Sequence, residues 1–568
     1  MKQKTKGVGP RIVAIILTII IALFFNWLHL PPWNIRSVSF WWYWVFVCVV
    51  APMTFSIVDT IAGYGATTII TKILRIIAIA MVIIIVILTF ASSKIFNAAR
   101  YSNLIDVEEG NFQEDIQSIS TVEEAKNFPL LDVETAQKLG NRSLSQIKKV
   151  SQFEVNDEYN LISYNGKQYR LSPLEYSSFV KAMNNESIPG YVLVDSETQE
   201  SQLVDLENEI KYAPSDIFSQ DLNRHLRSKY PSYIFDKFQF DIDDSGEPYY
   251  IAPVLKPTIG LFGGQKVESF VIVNANSGEC EEYLPEDLPE WVDHAYSLDY
   301  LMNLAENYYQ YKDGFFNSLF SKTNVKKLSY SYEGENVNED DQEDENKFVG
   351  YNSILTEDGV QFFTCVVSAS NDESALGFIL ANSRTGKITY YECAGAEEST
   401  AQLQAESLYQ NYGYKSSYPL MVNVDGVPTY IISLKDKSKI NKAYVMINVE
   451  NYTISASGET LEDALIEYRE KVFGEEALTP DDLTSETPEE IEAEIFTTTG
   501  TITQLYQATQ DGTTQFFFIL DGDENLYISP ITNNSRQVQM SVGSNVSIEY
   551  YNSPNEELVG IVSKIKIN

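Results

Sequence analysis

Three long apolar runs, near residues 12–30, 37–58 and 76–93, stand apart from everything that follows them. The first contains IVAIILTIIIALFF, the third reads IIAIAMVIIIVILTFASS, and the second carries no formal charge between positions 37 and 58. Each is close to the ~20 residues a helix needs to cross ~30 Å of hydrocarbon. Dense β-branching would weaken such helices in water, but in lipid an unpaired backbone is costlier and the helix prevails. None has the polar stripe of a soluble amphipathic helix. Phe40, Trp41, Trp42, Tyr43 and Trp44 open the second run, and such a cluster suits the headgroup belt. The pattern predicts three membrane-spanning helices, hence a multi-pass cell-membrane protein whose first partner is the lipid bilayer.

Beyond residue 100 the pattern changes. Residues 101–130 are polar and acidic and read as a partly helical stalk. After it, short apolar runs separated by polar turns alternate with amphipathic stretches. YVLVDSETQESQLV, FVIVNANSGECEEY, GFILANSRTGKITYY and YVMINVENYTISAS each combine a strand, a turn and a second strand-like run. Ser277–Gly278 and Thr385–Gly386 sit where a hairpin needs positive φ. GEPYYIAP and GVPTYIIS repeat Gly-x-Pro-x-Tyr-Ile from Gly246 and Gly426, each downstream of a Tyr-Pro pair. Helices are expected in SPLEYSSFVKAMNN, where Ser172, Pro173 and Glu175 form a capping pattern, in SLDYLMNLAENYYQYK and in ESTAQLQAESLYQNYG. The fold class that follows is α+β, with two related lobes at 131–325 and 350–475. An acidic loop at 326–349 separates them, and a linker at 476–490 leads to short β runs over 491–568. Those runs predict a small all-β barrel of OB-like size.

Charge sharpens the picture. The chain has 41 basic and 79 acidic residues. Before Tyr101 there are nine Lys or Arg and a single acid, Asp59; the remainder is strongly acidic. Such a surface repels phosphates, which argues against nucleic-acid partners. Lys2, Lys4, Lys6 and Arg11 precede the first run, and Lys72 and Arg75 lie between the second and third. The positive-inside rule then places the N-terminus in the cytoplasm and the large C-terminal region outside, although Lys94 and Arg100 run against it. NWLHLPPW lacks the small-residue site of a cleaved signal peptide.

Candidate chemistry is sparse. His29, His225 and His294 are scattered, without zinc-ligand spacing. No Gly-x-Ser-x-Gly elbow or phosphate-binding loop occurs, and GLFGG at 260–264 reads as a tight inter-strand turn. Asp241, Asp243 and Ser245 imitate the first half of a calcium loop, but Ala252 stands where the bidentate Glu belongs. DGDENLY (Asp521, Asp523, Asn525) is a weaker imitation. Asp59 is either a boundary residue or a coupling group. Of Cys280, Cys365 and Cys393 at most one pair can bridge.

FPLLDVETAQKLGNRSLSQIKKVSQFEV, RLSPLEYSSFVKAMNNESIPGYVLVD, KYAPSDIFSQDLNRHLRSKYP and YYIAPVLKPTIGLFGG together resemble an uncharacterised family of large membrane-anchored proteins of Gram-positive bacteria, over about 125–455. The resemblance implies a multi-span N-terminus with a long outer region and transfers no site residue. VNANSGECEEY and ANSRTGKITYY are also similar to PepSY-type domains, which implies surface-exposed, regulatory hairpin-plus-helix units. The expected function is a non-enzymatic envelope protein that binds or scaffolds a protein, peptide or cell-wall component. The alternatives are an envelope hydrolase built on distant carboxylates, or a component of a membrane transport assembly using Asp59 or Gly63 and Gly65.

Overall fold

The computed structural model describes residues 8–63, 69–329, 352–474 and 496–567, less 117, 127, 129, 147–149, 357, 511–512, 524, 531–536, 538–539 and 553–558. The acidic run at 330–351 and the linker at 476–490 therefore lie outside the described residues.

Three helices, Val8–His29, Val38–Ile61 and Ile69–Ala91, are long and apolar enough to cross a membrane. Their outward surfaces carry exposed Ile, Leu, Phe and Val side chains. Inside the bundle, Thr18 Oγ1 and Thr54 Oγ1 lie 2.6 Å apart, and Asp59 is buried.

The rest is mixed helix and strand, and the repeating element is smaller than a lobe. Among the described residues, a helix followed by an antiparallel four-stranded meander occurs four times. The first unit joins helix Val133–Ser143 to strands Asn160–Tyr164, Lys167–Tyr176, Ile188–Asp195 and Ser201–Ile210. The second joins Leu222–Lys229 to Gln239–Ile242, Pro248–Ile259, Gly263–Asn274 and Cys280–Tyr283. The third joins Leu298–Tyr311 to Asn352–Thr356, Gly359–Ser368, Asn371–Asn382 and Ile388–Ala396. The fourth joins Glu398–Leu408 to Leu420–Val424, Val427–Lys435, Asn441–Asn448 and Ser455–Gly458.

One turn chemistry recurs at the last hairpin of each unit. Asp195, Asn274 and Asn382 accept, through Oδ1, the backbone N–H groups two and three residues on, at 2.7–3.0 Å; Asn448 accepts from Asn451 at 2.8 Å. A side-chain oxygen that mimics a backbone carbonyl closes the turn. The next bend needs a left-handed residue, supplied by Gln199, Gly278 and Gly386 at φ of 58°, 72° and 73°. Gly246 and Gly426 (φ 83° and 88°) both close the first hairpin of their units.

Cores are shared between units because a meander has two faces and strand residues alternate between them. Tyr250 enters the core common to the first and second units, with Leu171, Tyr191 and Val273. Its neighbour Ile251 points the other way, into a core with Phe270, Leu301 and Phe362 that joins the second unit to the third. The third and fourth units share Phe363, Phe378, Tyr430 and Met446. Arg170, 2% exposed, crosses between units, donating to the Leu131 carbonyl and to Ser353 Oγ.

Three sequence expectations are corrected. Residues 101–130 are not a free stalk: Val107–Glu109 pairs in parallel with Ile388–Ala396, and Ile116, Ile119, Ala125 and Phe128 are buried in the core of the third and fourth units. Four well-spaced apolar side chains outweigh the acidic composition between them. Residues 173–176 continue a strand and only Phe179–Met183 is helical; pairing on both edges of Lys167–Tyr176 overrides the local capping pattern of Ser172, Pro173 and Glu175. Lys326–Leu328, assigned to the acidic loop, is an edge strand on Gly359–Ser368.

From residue 496 onward five strands pair in a ring: Phe496–Gln510, Thr513–Leu520, Leu526–Pro530, Val559–Ile567 and Asn545–Asn552, the last closing on the first. Phe518, Tyr527, Val546 and Ile548 fill its interior. All four cysteines are free.

Candidate functional site

The second unit sits on the end of the helix bundle marked by His29, Ser37 and Ser92. Trp33 N–H donates to the Pro231 carbonyl at 2.7 Å, Asn34 Nδ2 to Ser232 at 3.0 Å and Arg36 Nη1 to Pro257 at 2.7 Å. On the opposite side the 260–264 turn rests on the third span, where Ser92 Oγ accepts from Leu261 N–H at 3.1 Å. Gly260 permits this approach, since a Cβ there would fall 2.2 Å from Ser92 Oγ.

Between this collar and the first unit lies a cavity of about 620 Å³. Leu28, His29 and Leu30, from the end of the first span, form one wall. Pro173 and Glu175 come from the second strand of the first unit, Asp221, Arg224 and Arg227 from the helix of the second unit, and Asp236, Lys237 and Phe238 from the segment after it. An apolar edge thus faces a wall of alternating charge. Local structure sets each side chain: Asp221 caps its helix by accepting from Arg224 N–H at 2.8 Å, and Arg224 then reaches back to stack over Trp27, 4.1 Å from the ring centroid. Arg227 donates to the carbonyls of Tyr230, Pro231 and Tyr233, which leaves its buried Nε without a hydrogen bond.

Burial raises the carboxyls of Glu175, Asp221 and Asp236 above the ordinary range, and Asn156, Arg224 and Ser297 each partly offset it by hydrogen bonding. Desolvation lowers the Arg227 guanidinium to about 10. Tyr250 belongs to the cavity lining as well. Its side chain is 3% exposed, and its hydroxyl has no hydrogen-bond partner among the described residues. A buried hydroxyl left unpaired costs stability, and those of Tyr159, Tyr176 and Tyr309 are in the same state.

The calcium-like residues are not assembled in this way. Asp241 is 1% exposed; its Oδ2 accepts from the backbone of Asp293 and His294 at 2.8 and 3.2 Å. Asp243 Oδ1 accepts from Ser245 N–H, Ser245 Oγ and Glu247 N–H. The two carboxylates thus serve separate turns, and among the described residues no three His, Cys, Asp or Glu side chains gather around a common point. Asp241 instead belongs to an inter-unit hub: His294 Nε2 lies 2.7 Å from the Leu161 carbonyl, and Asp293 accepts from Ser163 N–H at 2.6 Å. Burial lowers His294 to about 4 and raises Asp293 to about 6. His225 Nε2 meets the Gly278 carbonyl at 2.6 Å, a structural contact; His29 alone of the three lines the cavity.

The sequence marked neither Tyr250 nor Arg227 as functional, because the cavity draws on five separate stretches of chain. The repeated Gly-x-Pro-x-Tyr was the one available signal. Compared with known proteins, the chain matches no family model and no curated protein.

Proposed function

We propose that this chain is a multi-pass α+β protein of the bacterial cell envelope, with its N-terminus in the cytoplasm and all that follows the third span outside. Its helix-plus-meander units are of PepSY style, and its task is to hold a protein segment, peptide or cell-wall strand at the membrane surface. The observation that carries this reading is the unpaired Tyr250 hydroxyl in a cavity that combines an apolar span end with Arg227, Glu175 and Asp236. Extended peptides and wall strands offer both amide donors and acceptors along an amphipathic backbone, which matches such a wall. The strand ring after residue 496 supports the wall-strand option: its order and its parallel third and fifth strands are OB-like, and OB barrels include oligosaccharide binders. Tyr506, Phe517 and Ile528 stand side by side across three of its strands.

Photo-crosslinking from position 223, at the cavity rim, in intact cells tests the reading. A discrete peptide or glycan adduct is expected, and it should vanish when Tyr250→Trp fills the cavity. No adduct, or one indifferent to Tyr250→Trp, counts against it.

A second reading rests on three carboxyls raised together in one cavity, the environment that general acids require. Full-length protein in nanodiscs incubated with peptidoglycan sacculi would then release soluble fragments, and Glu175→Gln or Asp236→Asn would stop the release.

A further inference from the structure

The segment after the third unit's helix turns three large apolar side chains to the outside. Phe316, Leu319 and Phe320 are 64%, 55% and 75% exposed, on a turn of π-helix spanning Asn317–Ser321. Their rings stack on one another rather than on a core: Phe316 and Phe320 lie 6.4 Å apart and nearly parallel, and Phe315 stacks on Tyr311. Three large apolar side chains held in water on a short loop are a mark of a contact surface.

Position tells what they meet. Helix Lys94–Ser102 leaves the third span directly and packs along Leu298–Tyr311. The two run antiparallel: Leu104 and Tyr101 meet Leu304 and Tyr300, whereas Lys94 Nζ sits over the Tyr311 ring, 5.3 Å from its centroid. Lys94 is three residues beyond the end of the third span at Ala91, so Tyr311 lies at the level where the hydrocarbon ends. The chain then continues into the exposed turn. Phe90 of the span and exposed Phe96 pack edge to face at 4.9 Å, which carries the apolar surface of the span towards it. Lys312 and Lys322, both exposed, flank the turn; Asp313 is the acid beside it, and Glu306 is already drawn towards Lys94.

The geometry points to residues 315–320 as a membrane-dipping wedge: the turn inserts Phe316, Leu319 and Phe320 into the acyl–headgroup boundary, with Lys312 and Lys322 at the phosphates. Aromatic and aliphatic side chains favour that depth and lysines reach back to anionic headgroups. The wedge lies beside the third span, while the cavity wall of Leu28–Leu30 lies at the first. The outer region is thereby held at the bilayer through contacts on both sides.

The test is made on full-length protein reconstituted into vesicles of phosphatidylcholine and phosphatidylglycerol. A nitroxide is attached through p-acetylphenylalanine placed at position 320, and in a second variant at position 319, which leaves the native cysteines untouched. Collision with oxygen should exceed collision with a polar nickel chelate several-fold at both sites. The same label at exposed Tyr452, on a hairpin of the fourth unit, should show the reverse. Chelate access at 319 and 320 equal to that at 452 would overturn the wedge. So would an oxygen excess that persists unchanged when the protein is moved from vesicles to amphipathic polymer without lipid. Neither result bears on the Tyr250 cavity, which the crosslinking experiment addresses separately.

Discussion

Tyr250 and Tyr430 occupy the same position in two units and meet opposite fates. Each follows a left-handed glycine and a proline on the second strand of its meander, and each is buried. Tyr430 Oη donates to the Ala396 carbonyl at 2.9 Å, whereas Tyr250 Oη has no partner among the described residues. Tyr430→Phe should therefore destabilise the protein by about 1–2 kcal/mol, and Tyr250→Phe should be neutral or slightly stabilising. Thermal unfolding of both variants in detergent distinguishes them; equal losses would mean that Tyr250 is satisfied after all.

The two glycines ahead of these tyrosines separate backbone strain from crowding. At Gly426 a Cβ finds open space apart from Gln113 Nε2 at 3.8 Å, so Gly426→Ala should cost only the left-handed conformation, about 1–2 kcal/mol. At Gly246 the same atom would lie 3.1 Å from the hydroxyls of Tyr164 and Tyr191, and Tyr191 also donates to the Gly246 carbonyl at 2.9 Å. Gly246→Ala should cost more than Gly426→Ala when denaturation midpoints are compared.

Arg224 ties the outer region to the first span by stacking on Trp27 and donating to the Trp27 carbonyl. A double-mutant cycle of Arg224→Ala and Trp27→Leu isolates the stacking, because the carbonyl survives both changes. The coupling should be about 0.5–2 kcal/mol, read from detergent-solubilised unfolding; a coupling near zero would mean that the outer region is held by the hydrogen bonds of Trp33 N–H and Asn34 Nδ2.

Asp216 gives the protein a defined pH dependence. It is 6% exposed, one carboxylate oxygen has no partner, and burial lifts the carboxyl to about 6. The folded state thus holds this proton more tightly than the unfolded chain does. Its contribution to stability is intact below about pH 4 and is lost as pH rises through about 6. His294, lowered to about 4, acts in the opposite sense over an overlapping range, so the informative quantity is the difference between wild type and Asp216→Asn. That difference in melting temperature should vary between pH 4.5 and 7.5 and level off above it.

The spans were legible because their apolar runs are uninterrupted, and the hairpins because Asp195, Asn274, Asn382 and Asn448 announce their turns. What stayed hidden was set by distant pairing. Residues 173–176 carry a local helix signal that only strands on both sides overrule, and Ile116, Ile119, Ala125 and Phe128 reveal a buried strap only once the sheet they cover exists. Two lobes were expected where four units occur, since Gly-x-Pro-x-Tyr marks the second and fourth alone. The opening turns of the first and fourth units, Asn165–Gly166 and Asp425–Gly426, share positive φ at both residues, but only the fourth carries the motif after its glycine. The cavity was illegible for a plainer reason: Leu28, Glu175, Arg227 and Tyr250 converge only in the folded chain.

The pairing of Val107–Glu109 with Ile388–Ala396 also orders events in time. The strap leaves the ribosome long before the strand that receives it, and its apolar residues have no sheet to cover until the third and fourth meanders are complete. Contacts this far apart in sequence form late. During synthesis the protein must therefore pass through a stage in which the spans and the first two units are assembled while Ile116, Ile119 and Phe128 wait uncovered beside the bilayer. That nascent stage, more than the finished molecule, is where a chaperone would be needed.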